Sequence, residues 1–234
     1  MWGWLIGGLV LVAVLLYWLL VTTEGTYLGR RVVVLLYDWT ARRYDKIKAV
    51  QFLQELLFVG LPLARELEDI PAPRILDVAT GTGRLATALQ GQLADEGLLI
   101  GADASWRMLQ HSAPQHRLLT DAEQLCLTND AFDCVCCLEA LEFMPNADRA
   151  LREMIRVGQP GALLMLTNRV GRDAWFYPGR IAGRGRLEQR LLALGCSHVR
   201  TQRWQVHYDL VWARTPHRGV ASALTDTRDG DDRL

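Results

Sequence analysis

The stretch Arg74-Ile75-Leu76-Asp77-Val78-Ala79-Thr80-Gly81-Thr82-Gly83-Arg84-Leu85 reads as a short buried strand, a glycine-bearing turn and the start of a helix. Gly81 and Gly83 let the backbone bend tightly and approach a ligand, and the first helical amides then face that ligand. The turn alone also fits a dinucleotide fingerprint, because Gly81-x-Gly83-x-x-Ala86 matches G-x-G-x-x-G/A.

Outward from this turn, apolar runs alternate with helical patterns. Strands are expected at 98–102, 117–120, 133–138 and 161–167, and helices at 85–93, 106–111, 147–157 and 187–194. Continuous apolar strands belong to a parallel sheet covered on both faces. Two strands in succession, 199–204 and 208–213, break the alternation and predict an antiparallel pair at the end of the sheet. Upstream, apolar residues at Ile47, Val50, Leu53, Leu56 and Leu57 predict a helix over 45–68, stopped by Pro71 and Pro73.

The acids sharpen the reading of the turn. Asp77 ends the first strand, where it would repel a pyrophosphate but attract a ligand carrying an ammonium and a sulfonium. Asp103 ends the second strand, 22 residues after Gly81, where a carboxylate can hold both hydroxyls of a ribose. Asp121, followed by Ala122, comes after the third strand and can accept from an adenine amino group. Three acids at the carboxyl ends of three neighbouring strands converge on the crevice where open α/β sheets bind ligands.

These residues carry a family resemblance. Asp77 to Gly83 resembles the first motif of class I S-adenosylmethionine-dependent methyltransferases, and Gly101 to Leu109 resembles their second. Asp121-Ala122-Glu123 with Phe132-Asp133 resembles the third region, and Arg152 to Val157 leading into Pro160-Gly161 resembles the approach to strand five. Within the class the chain is most similar to the ubiquinone/menaquinone-biosynthesis group, whose opening segment Tyr37-Asp38 and Tyr44-Asp45 resemble. The resemblance implies a Rossmann-like α/β fold with a seven-stranded, mostly parallel sheet whose last strand is antiparallel. It implies S-adenosylmethionine as cofactor, held by Asp77, Ala79, Thr80, Gly81, Thr82, Gly83, Asp103, Ala104, Met108, Asp121, Ala122 and Glu139. Tyr44, Phe143 and Asn168 are expected to face the substrate.

Ahead of this domain, Trp2 to Val21 reads WGWLIGGLVLVAVLLYWLLV, with no charge before Glu24. Twenty residues at about 1.5 Å each match the roughly 30 Å hydrocarbon core of a bilayer. Trp2, Trp4, Tyr17 and Trp18 lie toward the ends, as interfacial aromatics do. A cleaved signal peptide would show a basic leader and a small-residue cleavage site, and a core helix would show a polar face. The segment is therefore expected to be a single membrane anchor. Arg30, Arg31, Arg42, Arg43, Lys46 and Lys48 follow it, and the positive-inside rule puts the catalytic bulk on the cytoplasmic side. That basic cluster fits contact with anionic head groups or an ordinary solvated face equally well. Val32 to Leu36, too short to span, fits a strand or a surface-lying continuation of the anchor. The expected organisation is a transmembrane helix at 2–22, a juxtamembrane segment at 23–36, the enzymatic domain at 37–214 and a polar, disordered tail at 215–234.

Composition narrows the partners. Formal net charge over the 234 residues is zero, so there is no global basic field to gather nucleic acid. The five cysteines are an odd number, three of them within one apolar run, which fits a reducing compartment better than a disulfide framework. On a strand Cys137 points opposite to Cys134 and Cys136, so these are small core residues and no metal site is expected. For a base, Glu139 and Glu142 are the candidates. The segment Leu138 to Phe143 resembles one ending Glu-His in quinone O-methyltransferases, and Phe143 replaces that histidine. Trp175 to Gly179 fits an aromatic lid, a membrane-touching loop or plain loop packing. The leading reading is a methyltransferase acting on a lipophilic small molecule, a quinone precursor or lipid. An NAD(P)-dependent oxidoreductase and a non-catalytic membrane adaptor are the competing ones. Oligomeric state is not legible.

Overall fold

The computed structural model describes residues 2–48, 52–93, 97–114, 116–177 and 183–217, without the side chains of Gly3, 42–48, Phe52 and 172–173. Helix α1 (Trp2–Tyr17) runs through a wider turn (Trp18–Thr22) to the loop before helix α2 (Arg30–Lys48). Short helices α3 (Phe52–Glu55) and α4 (Leu61–Glu66) lead into the sheet domain: β1 (Arg74–Val78), α5 (Arg84–Leu89), β2 (Leu98–Asp103), α6 (Trp106–Gln110), β3 (His116–Leu119) and β4 (Phe132–Cys137). It continues with α7 (Ala147–Val157), β5 (Gly158–Arg169), α8 (Arg186–Ala193), β6 (Ser197–Arg203) and β7 (Tyr208–Arg214).

The sheet has seven strands in the order β3-β2-β1-β4-β5-β7-β6. The first five are parallel, and β7 runs antiparallel to both β5 and β6. The chain thus passes to the edge with β6 and returns to fill the place beside β5 with β7. This explains why β7 is buried along most of its length while β6 alternates with solvent.

Successive residues of each strand feed opposite faces. Leu76, Val135, Cys137, Leu164 and Leu166 pack with Leu151 and Met154 of α7 and Leu187 and Leu191 of α8. Ile75, Cys134, Cys136, Leu163 and Met165 pack with Leu63 of α4 and with Leu85 and Leu89 of α5. The cysteines therefore divide between the two faces as their spacing requires, and all five are free thiols. Helix α7 shows how a helix closes the crossover from β4 to β5. Ala147, Ala150, Leu151, Met154 and Val157 form its buried stripe, and the Asn146 side chain caps it by accepting from the Arg149 amide at 3.0 Å.

The structure departs from the sequence expectations in four places. Val32 to Leu36 is not a strand but part of α2, which starts at Arg30 and so joins the juxtamembrane segment to the first residues of the domain. Of the helix expected over 45–68, residues 49–51 lie outside the described residues, and the stretch from Phe52 to Glu66 is helical but widens over Leu56–Gly60, with Pro62 within the first turn of α4. Strand β5 extends three residues earlier than its apolar run because Gly158 pairs with Phe132 across a bulge. Thr215 belongs to the folded domain rather than the tail: it is buried, and its amide donates to the Ala162 carbonyl at 2.9 Å. Residues 218–234 of the expected tail lie outside the described residues.

Candidate active site

Register brings the three acids together. Asp77 of β1 pairs with Gly101 of β2, and Asp103 of β2 pairs with Leu119 of β3, two residues before Asp121. The carboxyl ends of the three strands therefore stand side by side, and Asp77, Asp103 and Asp121 line one cleft. Ala79, Thr80, Gly81, Ala104, Met108, Ala122 and Glu139 line the same cleft.

The turn after β1 holds this geometry through two kinds of contact. Asp103 accepts from the Gly81 amide and, with its other oxygen, from the Ser105 amide, each at 2.8 Å. One carboxylate thus ties the first loop to the second. Thr82 and Gly83, expected to touch the ligand, are not among the cleft-lining residues and instead support the turn from behind. The Thr82 carbonyl accepts from the Ala113 amide at 2.9 Å. A Cβ at Gly83, where φ is +85°, would lie 2.4 Å from Pro114 Cδ. Gly81, at φ +56°, has only the Met108 methyl within 4 Å of a Cβ and borders open space. Of six non-glycine residues at positive φ among the described residues, two belong to the site, Ala79 at φ 56° and Glu139 at φ 51°. They cap the adjacent strands β1 and β4 and both face the cleft. Such strain, about 1 kcal/mol or more each, persists where surrounding contacts hold it and clusters at functional sites.

Burial governs the charges. Asp77 is almost wholly enclosed. Its carboxyl is pushed up to about 7, chiefly by burial and then by Asp103, against the hydrogen bond from Thr80 and the charge of Arg84. The Thr80 hydroxyl donates to it at 2.6 Å. Burial also raises Asp103, opposed by its backbone hydrogen bonds.

Residues 76–166 match the family described as methyltransferase domain. Over that span the chain is similar to a methyltransferase domain. The demethylmenaquinone methyltransferase of Mycolicibacterium vanbaalenii is 31% identical over 136 residues, which is 57% of this chain and 58% of that protein. The enzyme of the same name from Mycobacterium tuberculosis is 32% identical over 139 residues, 58% of each chain. The match thus spans a little over half the length of these curated relatives. Among solved structures, a methyltransferase from Aquifex aeolicus shares the fold at TM-score 0.60 and 17% identity, covering 76% of this chain and 98% of the other. Magnesium protoporphyrin IX methyltransferase from Synechocystis, solved with bound S-adenosylmethionine, superposes at TM-score 0.55 and 17% identity, covering 70% and 79%.

The site also has features that no local motif announced. Arg84, first residue of α5, donates through Nε to Glu55 at 2.7 Å and through both terminal nitrogens to Glu139 at 3.1 and 3.2 Å. Gln205, before β7, donates to Glu139 at 3.1 Å. Glu139 is thereby held as an acceptor with its oxygens occupied.

Glu142 is elsewhere. It is buried, outside the cleft lining, bonded by the Tyr208 hydroxyl and 3.5 Å from Arg169. Burial raises its carboxyl above the usual carboxylate range.

Helix α2 roofs the cleft with Arg30, Val33, Val34 and Tyr37. Arg30 pairs with Asp121, and Asp38 accepts from the Ser105 hydroxyl, latching α2 to the start of α6. An apolar pattern in a segment of undecided conformation could not show which face it would present.

Of the expected substrate-facing residues, Phe143 lines the cleft, with its ring 5.8 Å from Tyr37 and 5.4 Å from Tyr177. Asn168 does not: it is buried in β5 and its amide reaches the Gly183 carbonyl at 3.4 Å. The Tyr44 side chain lies outside the described residues. Among the described residues no cluster of three or more histidines, cysteines or acids is placed to hold a metal.

Proposed function

We propose that this protein is a membrane-tethered methyltransferase that transfers the methyl group of S-adenosylmethionine to a lipophilic small molecule, a quinone precursor being the leading candidate. The observation that carries the activity is the convergence of Asp77, Asp103 and Asp121 on one cleft beside a turn whose amides and glycines leave room for a ligand. The names of the curated relatives support a quinone acceptor. The tether is supported by Trp4–Thr22, a helix long and apolar enough by length and composition to cross a membrane and wholly outside the buried core. The basic residues that follow it favour the cytoplasmic side for the domain.

The cofactor fits the side chains present. Asp103 is placed to take the ribose hydroxyls, Asp121 and Ala122 the adenine edge, and Met108 the adenine face. Ala79 to Gly81 would border the methionine part, with Asp77 supplying negative charge for its ammonium. When bound, S-adenosylmethionine supplies a methyl group already activated on a sulfonium. The protein's share is then alignment and exclusion of water. Phe143, Tyr37, Val33 and Val34 form an apolar wall that keeps water from the acceptor side. Of the two candidate bases, Glu139 faces the cleft, but its oxygens are taken by Arg84 and Gln205. Its role in this reading is to fix the wall of the acceptor site.

Calorimetry of the full chain in nanodiscs with S-adenosylhomocysteine tests the cofactor half. Saturable binding is expected, lost in Asp103→Ala, and titration with NADH should give no heat. Mass spectrometry of a reaction with demethylmenaquinol tests the acceptor half through a gain of about 14 mass units, one methylene. Binding of NADH in place of S-adenosylhomocysteine would overturn the assignment.

A further inference from the structure

The end of the apolar helix touches the domain through aromatic rings. Trp18 stacks on Tyr27 at 5.4 Å and meets the edge of Phe176 at 6.1 Å. The Tyr177 hydroxyl donates to the Thr22 carbonyl at 3.0 Å. Tyr177 is itself buried and packs against Phe143, which packs against Tyr37 in the cleft. A run of rings therefore leads from the end of the helix, through Phe176 and Tyr177, to the wall of the cleft.

Around the start of this run the surface is apolar and open. Trp175 is 68% exposed and Phe176 43%, on the short helix Arg172–Phe176, with Tyr27 and Leu28 exposed beside Trp18. Exposed aromatics grouped in this way mark an interaction surface. Tryptophan and tyrosine favour the membrane–water boundary, where one part of the ring is wet and the rest apolar.

The geometry points to a bilayer as the partner of this surface: Trp175, Phe176, Tyr27 and Leu28 sit in the head-group layer, and an apolar acceptor enters the cleft from lipid on this side of the domain, past the wall that Phe143 forms with Tyr177 packed behind it. The lipid is favoured as occupant because the patch is continuous with the end of a helix long enough to span it. This rests on the tethered-methyltransferase reading and adds the membrane-facing side of the domain and the direction of acceptor entry.

The test uses the full chain, carrying Cys126→Ser to remove the one exposed thiol among the described residues, in phosphatidylcholine nanodiscs containing doxyl-labelled lipid. A bimane label is placed in turn through Trp175→Cys, Val10→Cys and Leu192→Cys. Quenching at 175 several-fold above that at Leu192, an exposed position on α8, is expected. Quenching at 10 with none at 175 overturns the seat while leaving the tether standing. Quenching at neither position overturns both.

Entry is read by kinetics of Trp175→Glu. The KM for long-chain demethylmenaquinol in the bilayer should rise about tenfold, with turnover of a short-chain, water-soluble naphthoquinol unchanged. Equal losses for the two acceptors, or turnover of neither, overturn the route, and S-adenosylhomocysteine calorimetry on the same samples reports separately whether the cofactor site is intact.

Discussion

The two halves of the cleft are built by different means. The cofactor half comes from short loops at the tips of β1, β2 and β3, each following its strand within a few residues. The half proposed for the acceptor is gathered from α2, the loop after β4, Arg84, Gln205 and the segment ending at Tyr177, which lie far apart along the chain. Local construction makes a site readable as motifs, whereas long-range construction hides it until the packing is known.

Arg84 is where the halves meet, and substituting it should have the largest effect. Arg84→Met removes the cation held between two enclosed carboxylates, Glu55 and Glu139. A loss of about 3–5 kcal/mol is typical when one member of a buried pair is removed. Chemical denaturation should show it, and a change below about 1 kcal/mol would mean that the halves are not coupled through this guanidinium.

Asp103→Ala strikes the cofactor half alone. It deletes the loop-to-loop hydrogen bonds and the proposed ribose acceptor. Charge-assisted bonds are worth about 1.5–3 kcal/mol, so S-adenosylhomocysteine affinity should fall roughly 100-fold by calorimetry. Circular dichroism at the same temperature should show the domain still folded.

Gly83→Ala and Gly81→Ala separate support from contact within one turn. At Gly83 the new methyl meets Pro114 Cδ at 2.4 Å in a left-handed backbone, and overpacking plus strain should cost about 2–4 kcal/mol in thermal unfolding. At Gly81 there is space, so about 1–2 kcal/mol of backbone strain is expected. Equal destabilisation of the two variants would refute the assignment of Gly83 to support.

The smallest effect is a pH dependence. With Asp77 pushed up to about 7, its carboxyl is largely protonated below that pH. A cationic ligand favours the ionised form, so a proton must leave on binding and affinity falls as pH drops. Between pH 8 and 6 the S-adenosylmethionine affinity should weaken roughly tenfold, since one pKa unit corresponds to about 1.4 kcal/mol. Asp77→Asn should bind more weakly at pH 8 and show a flat profile over this range.

Much of the cofactor half was legible because its chemistry is local. Asp77 and Asp103 lie at the ends of short apolar stretches read as strands and Asp121 follows a third, so their convergence was expected before any contact was known. Thr82 and Gly83 mark the limit of such reading. Spacing identified the turn but could not say which of its residues face the ligand and which face Pro114. Glu142 and Asn168 stand outside the cleft lining for a related reason. Each follows a strand or lies near its end, yet burial beside Tyr208 or Gly183 turns it away from the cleft.

From residue order alone came the alternating elements, the apolar helix of the first 22 residues and the glycine turn with its acids. Hydrophobic periodicity and strand-end chemistry act over a few neighbours, and that much is written consecutively. The roof formed by α2, the grip of Arg84 on Glu55 and Glu139, the place of β7 inside the sheet and the ring contacts from Trp18 to Phe143 were decided only when the chain packed. Those contacts join residues dozens to more than a hundred positions apart, and which side chains meet across such distances depends on how whole helices and strands share one core.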